Sequence, residues 1–150
     1  MSEPAKSKDA LHVRSTSRSL PIALLRAREK VMAPIRAMLA DAGVTEQQWR
    51  VLRVLAEKGP MDPTEIADAS CLLMPSLTRI LKVLEAKGFV TRRGHETDRR
   101  RMIIEITPDG GNLIEANIPQ SNRIFAELEA EIGKERVEQL LDLLNKLTGN

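Results

Sequence analysis

The stretch from Asp62 to Ile106, DPTEIADASCLLMPSLTRILKVLEAKGFVTRRGHETDRRRMIIEI, decides how this chain folds. It opens with a helix start: Asp62 supplies a capping carboxylate, Pro63 takes the first helical position, and Glu65 sits where it can reach back to the cap. Only Ile66 and Ala67 give that helix a buried side before Ser70-Cys71-Leu72-Leu73-Met74 intervenes, so it is short. Pro75 marks another first turn, and Leu77, Ile80, Leu81 and Leu84 recur at helical spacing until Gly88 ends the segment. There the period changes. Phe89-Val90-Thr91 is a β-prone run, and Met102, Ile104 and Ile106 alternate with Arg101, Ile103 and Glu105. Between the two strands, Gly94-His95-Glu96-Thr97-Asp98-Arg99 is too long for a two-residue turn, so the hairpin closes in an extended polar loop.

Upstream, Thr45 and Gln48 have the spacing of a capping box, and Trp49, Leu52, Leu55 and Ala56 then share one helical face before Gly59 and Pro60. On this pattern Trp49 plugs the core beside Leu52. From Leu20 to about Ala40, Leu24, Val31, Ile35 and Met38 recur at helical spacing with Leu25, Met32 and Leu39 beside them. Pro34 lies inside that stripe and predicts a kink or break near Met32 and Ala33. Residues 1–19 lack apolar periodicity and read as a flexible basic arm. Beyond the hairpin, Thr107 and Pro108 start a helix carrying Leu113, Ile114, Ile118, Phe125 and Leu128, with Pro119 expected to distort it. After Gly133 a last helix shows a narrow stripe of Val137, Leu140, Leu141, Leu144 and Leu147. The expected fold is mainly α with a small β-hairpin: a winged helix-turn-helix over 43–107, flanked by a helix over 20–42 and helices over 108–150. The flanking stripes offer more apolar surface than the small central module can cover, which makes them candidate dimerisation helices. The alternative is that the first helix packs on the last within one chain.

Composition narrows what such a fold can do. The chain has 150 residues, 42% hydrophobic and 29% charged, the balance of one globular domain able to build a core without disulfides or a structural metal. One cysteine and two separated histidines, His12 and His95, make neither a zinc site nor a Cys-His nucleophile pair. No Gly-rich phosphate loop is present, so the chain is not read as an enzyme and no cofactor is expected. No apolar run reaches the roughly 18 residues that span a bilayer, and the first residues are polar, so a cytoplasmic location without a membrane partner is expected. The net charge of +2 hides an alternation: residues 1–36 sum to +5, 37–75 to −3, 76–101 to +5 and 102–150 to −5. A basic block in mid-chain points to a polyanion. Aromatics make up only 2%, too few to stack single-stranded bases, whereas reading double-stranded DNA needs none.

Candidate contacts follow from the helix and the hairpin. Ser76, Thr78, Arg79 and Lys82 lie beside or opposite the leucine stripe, with Pro75 opening the same turn, so they can face a major groove while the leucines face the core. The planar fork of Arg79 can grip guanine or phosphate bidentately. Around the loop, Arg92, Arg93, Arg99, Arg100 and Arg101 repel one another unless an anion, Asp98 or Glu96 offsets them. Arg93, His95, Arg99, Arg100 and Arg101 are therefore the hairpin's candidate DNA contacts. An ordinary solvated helix face and a charged, merely soluble hairpin are the plainer alternatives.

Four segments in order, Gly43-Val44-Thr45-Glu46-Gln47-Gln48-Trp49-Arg50-Val51-Leu52, Pro75-Ser76-Leu77-Thr78-Arg79, Leu84-Glu85-Ala86-Lys87-Gly88-Phe89-Val90, and Asp98-Arg99-Arg100-Arg101 followed by Ile106-Thr107-Pro108-Asp109-Gly110, resemble the MarR family of transcriptional regulators. Leu20-Pro21 with Leu24-Leu25-Arg26-Ala27-Arg28-Glu29, and Cys71 to Arg79, are similar to regulators of homoprotocatechuate (aromatic acid) degradation operons. The resemblance implies that Asp98 pairs with Arg100 and stiffens the wing, while an arginine near the tip, Arg99, enters the minor groove. It also implies a homodimer formed through the end helices, with recognition helices about 34–36 Å apart and hence a palindromic operator.

A small aromatic acid bound between the dimer helices and the DNA-binding lobe is a further implication. Such an effector needs a cation and apolar walls. Arg14, Arg18 and Arg26 are candidate cations and Leu25 and Trp49 candidate walls; DNA phosphate or solvent is the other reading of those arginines. Cys71 senses oxidants if its thiolate is stabilised, and is otherwise a small buried hydrophobe. The sequence thus leads to a homodimeric DNA-binding regulator, a repressor released by a small aromatic acid. The alternatives are a helical dimer that docks an acidic protein and an oxidant-sensing regulator that uses Cys71.

Overall fold

The computed structural model describes residues 14–150. The expectations for residues 1–13, including most of the basic arm and His12, lie outside the described residues. The chain divides into two compact units, Met1–Ala33 and Pro34–Asn150. In the first, a 3₁₀ turn at Thr16–Arg18 precedes a helix, α1, that spans Leu20–Ala42 and enters the second. The second continues with α2 (Glu46–Lys58), α3 (Pro63–Ser70), α4 (Met74–Ala86), β1 (Val90–Gly94), β2 (Met102–Ile106), α5 (Pro108–Ile132) and α6 (Lys134–Thr148).

Two prolines sit inside continuous helices: α1 is not broken at Pro34, and α5 passes Pro119. Both rings are exposed, while Ile35, Met38 and Leu39 in α1 and Ile114 in α5 are buried. Each proline removes one backbone bond, and apolar burial on the far side of the helix offsets that loss.

The capping box of α2 closes as expected, with Thr45 Oγ1 accepting the Gln48 N–H at 3.2 Å and Gln48 Oε1 accepting the Thr45 N–H at 3.1 Å. Its buried face, however, is Gln48, Val51, Leu52 and Leu55; Ala56 is exposed and Trp49 only half-buried at the margin of the core. Gln48 can turn inward because its amide oxygen is also met by Lys87 Nζ at 3.5 Å, and Lys87 donates to the Gly43 carbonyl at 2.7 Å.

Asp62 caps α3 by accepting the Glu65 N–H at 2.8 Å, with Pro63 in the first turn. That helix stops at Cys71, whose φ of 54° is the left-handed conformation, and the Leu72 N–H closes on the Ala67 carbonyl at 2.9 Å. Arg50 of α2 donates to the Ser70 carbonyl at 2.9 Å and secures the same helix end. The chain then enters α4, which buries Leu77, Leu81 and Leu84 against Val51, Leu52, Leu55, Ile66 and Ile104. The hairpin is antiparallel, pairing Val90 with Ile106 and Gly94 with Met102. Met61 extends it by an isolated bridge to Ile104, with N–H···O distances of 3.1 and 2.8 Å.

The turn from β2 into α5 is the tightest junction. Thr107 Oγ1 donates to the Gly88 carbonyl at 2.6 Å and accepts the Gly110 N–H at 3.1 Å, while the Thr107 N–H donates to the Phe89 carbonyl at 3.0 Å. A Cβ at Gly110 would lie 2.4 Å from that Phe89 oxygen and 2.8 Å from Ile106 Cγ1. Gly110→Ala is therefore expected to destabilise the fold by about 1–3 kcal/mol through overpacking. Urea unfolding monitored by circular dichroism measures it.

Candidate nucleic-acid interface

On α4, Pro75, Thr78, Arg79 and Lys82 are exposed and Ser76 is half-buried, all away from the buried leucines. Positions 75, 78, 79 and 82 fall within one helical stripe, the pattern required of side chains that enter a groove together. Thr78 Oγ1 donates to the Met74 carbonyl at 2.9 Å, which leaves its oxygen lone pairs as outward acceptors. Neither Arg79 nor Lys82 has an ion-pair partner among the described residues. Leu73, at the head of α4, was not singled out from sequence, yet it is 77% exposed. Only its position before Pro75, on the edge of the groove-facing turn, could have marked it.

The hairpin sorts its arginines. Arg92 pairs with Glu85 of α4 at 2.6 Å and Arg93 with Glu105 at 3.6 Å. Arg101 pairs with Asp62, the cap of α3, and, at 3.1 Å, with Glu65 in its first turn. Arg93 and Arg101, two of the expected DNA contacts, thus each have an ion-pair partner within the protein; the partners of Arg101 are not evident from sequence because Asp62 and Glu65 are remote along the chain. Arg99 and Arg100 have no ion-pair partner among the described residues. The implied Asp98–Arg100 pairing is made through the main chain, with Asp98 Oδ1 accepting the Arg100 N–H at 3.0 Å. His95 shapes the loop: its Nδ1 accepts the N–H of Thr97 at 3.3 Å and of Asp98 at 3.1 Å. A neutral ring in that arrangement carries its proton on Nε2.

Arg14, Arg18, Leu25 and Arg26 are exposed in the first unit, and Trp49 is half-buried in the second. Within the second unit, an open cavity of about 460 Å³ is lined by Arg53, Glu57, Ile106, Ile114, Glu115 and Ile118. Arg53 follows Trp49 by one helical turn, and that spacing was its only signal in the sequence. Cys71 is exposed, not a buried hydrophobe, because it occupies the left-handed end of α3.

The Glu65 N–H, and then the Arg101 guanidinium, hold the Asp62 carboxyl below the usual carboxylate range, and Arg101 is raised in turn by Asp62. A depressed carboxyl contributes stability above its unfolded value and loses it as pH falls through its folded value. The stability difference between the wild type and Asp62→Asn should therefore be constant above about pH 5 and shrink steadily as pH drops below about 4. Urea midpoints across that range measure it; a difference that does not depend on pH would contradict the assignment.

The sequence pattern of the MarR family matches residues 44–102, from the start of the helix-turn-helix to the beginning of β2. The HTH-type transcriptional regulator FarR of Neisseria gonorrhoeae is 39% identical over 129 residues, 86% of this chain and 88% of that one. The homoprotocatechuate degradative operon repressor of Escherichia coli is 39% identical over 128 residues, 85% of this chain and 86% of that one. The crystal structure of NadR in complex with 4-hydroxyphenylacetate superposes with a TM-score of 0.78 at 38% identity, covering 90% of this chain and 96% of that one. Helix-turn-helix, hairpin and sequence agree along nearly the whole length, and the chain belongs to the MarR family, whose members are transcriptional regulators and not enzymes.

Proposed function

We propose that the protein is a homodimeric repressor that holds palindromic duplex DNA and leaves it when a small aromatic acid binds. The observation that carries this reading is the exposed row of α4, with Arg79 and Lys82, and on the wing Arg99 and Arg100, without an ion-pair partner among the described residues. Arg79 reads a base edge or phosphate in the major groove, and Leu73 supplies an apolar contact suited to a thymine methyl. Arg99 and Arg100 serve the minor groove and its phosphates.

Dimerisation is supported by α6, which buries none of its residues although Leu140, Leu141, Leu143 and Leu147 are large and apolar. Phe125 and Ile132 of α5 add to that exposed surface. A second copy covers it and places two α4 helices one duplex turn apart.

For the effector, the cavity beside α2 and α5 supplies apolar walls in Ile106, Ile114 and Ile118 and a guanidinium in Arg53. Glu57 and Glu115 on the same lining repel a second anionic group and accept from a hydroxyl. That chemistry suits a ligand with one carboxylate and one phenolic end, and NadR has been solved with a molecule of this class. Release requires the acid to bind the detached conformation more tightly than the DNA-bound one.

Arg79→Ala is expected to weaken binding to a duplex from the gene's own upstream region by about 1–3 kcal/mol, with a much smaller loss on a random duplex of equal length. Equal losses on both would remove base reading. If about 6–10 phosphates are neutralised, affinity falls by about 10³–10⁵ between roughly 50 and 200 mM salt. Arg53→Gln should leave DNA affinity without ligand within about twofold and shift the 4-hydroxyphenylacetate concentration for half-release upward by at least about tenfold. Fluorescence anisotropy measures both, and an unchanged half-release concentration would place the effector elsewhere.

A further inference from the structure

Arg101 is placed where a wing needs support. Its backbone closes the hairpin loop on both sides, the carbonyl accepting the His95 N–H at 3.0 Å and the N–H donating to the Asp98 carbonyl at 3.1 Å. Its side chain leaves the hairpin altogether and reaches Asp62 and Glu65, 39 and 36 residues earlier, at the cap and first turn of α3. The base of the hairpin has its own attachments in buried Val90 and Ile104 and in the Met61 bridge. At the loop end, just before β2, this guanidinium with its two carboxylates links the hairpin to the start of α3. Arg99 and Arg100 directly precede it in the chain, so whatever holds Arg101 also sets where those two cations stand relative to the helix-turn-helix. A two-stranded hairpin alone is marginal and would let them wander.

We infer that Arg101, Asp62 and Glu65 form a clamp that positions the wing for DNA, so that two carboxylates on the DNA-binding lobe raise DNA affinity. The inference rests on the DNA-binding reading above and opposes simple electrostatics. One guanidinium with two carboxylates carries a net negative charge, and removing an acid near phosphate ordinarily strengthens binding. The clamp demands the opposite sign. It also assigns Arg101 to the protein's own acids and not to phosphate, so losing it costs position while the number of counterions released stays constant.

The test uses the full-length chain and anisotropy on the upstream duplex and on a random duplex, with Asp62→Asn, Glu65→Gln, Arg101→Gln and the double variant Asp62→Asn/Arg101→Gln. Asparagine keeps an acceptor for the α3 cap, and Glu65→Gln leaves that cap untouched, so a loss shared by both variants is not a capping defect. Expected are losses of about threefold to fivefold on the upstream duplex for Asp62→Asn and Arg101→Gln, the scale of one partly exposed ion pair, with a smaller loss for Glu65→Gln. The double variant should be no weaker than the weaker single one. The slope of log affinity against log salt for Arg101→Gln should match that of the wild type. Unchanged or tighter binding by Asp62→Asn overturns the clamp alone, as does a salt slope shallower by about 0.9 per lost contact in Arg101→Gln, the mark of a phosphate ligand. A wild-type protein that binds neither duplex overturns the DNA reading and the clamp with it.

Discussion

Burial of Leu77, Leu81 and Leu84 on α4 is the constraint on which the rest of the molecule turns, for these side chains are 0%, 2% and 0% exposed. Each buried leucine contributes about 1.5–3 kcal/mol relative to exposure, so rotating the helix to hide Arg79 would lose all three and bury a guanidinium besides. The helix therefore has one stable roll about its axis, and the outward row follows from it. The neighbouring elements reinforce that roll. Arg50 secures the end of α3, and Cys71 accepts a left-handed backbone so that α4 can begin without delay.

The wing is an extension of the same core. Ile104 is fully buried among the leucines of α2 and α4 and bridges to Met61, which brings the strand to the turn between α2 and α3. At the hairpin's other end, Thr107 and Gly110 close on Gly88 and Phe89, so β1, β2 and the first turn of α5 share one knot of hydrogen bonds. Only glycine at 110 allows the backbones to approach that closely. The exposed row of α4 and the hairpin beside it are thus mounted on a single scaffold.

The charge distribution acquires meaning only when acids are matched to bases in space. Residues 76–101 look like one basic block, but three of its arginines, Arg92, Arg93 and Arg101, are ion-paired with Glu85, Glu105, Asp62 and Glu65. Arg79 and Lys82 on α4 and Arg99 and Arg100 on the loop have no ion-pair partner among the described residues.

The sequence by itself determined the local elements of this protein: the capping box at Thr45 and Gln48, the Asp62 cap, the leucine period of α4 and the change of period at Gly88. Each is written within a few residues, because caps and amphipathic periods act between positions no more than about four apart. The family resemblance, carried by the same short motifs, was legible for the same reason. Tertiary structure alone decided that Trp49 yields the core to Gln48 and Val51, that Pro34 does not break α1, that Cys71 is exposed, and that Arg101 belongs to Asp62 and Glu65. Those outcomes depend on which distant groups share a neighbourhood. Apolar burial outweighs a missing helical hydrogen bond, and a guanidinium chooses its carboxylate by distance through space, which linear spacing does not encode.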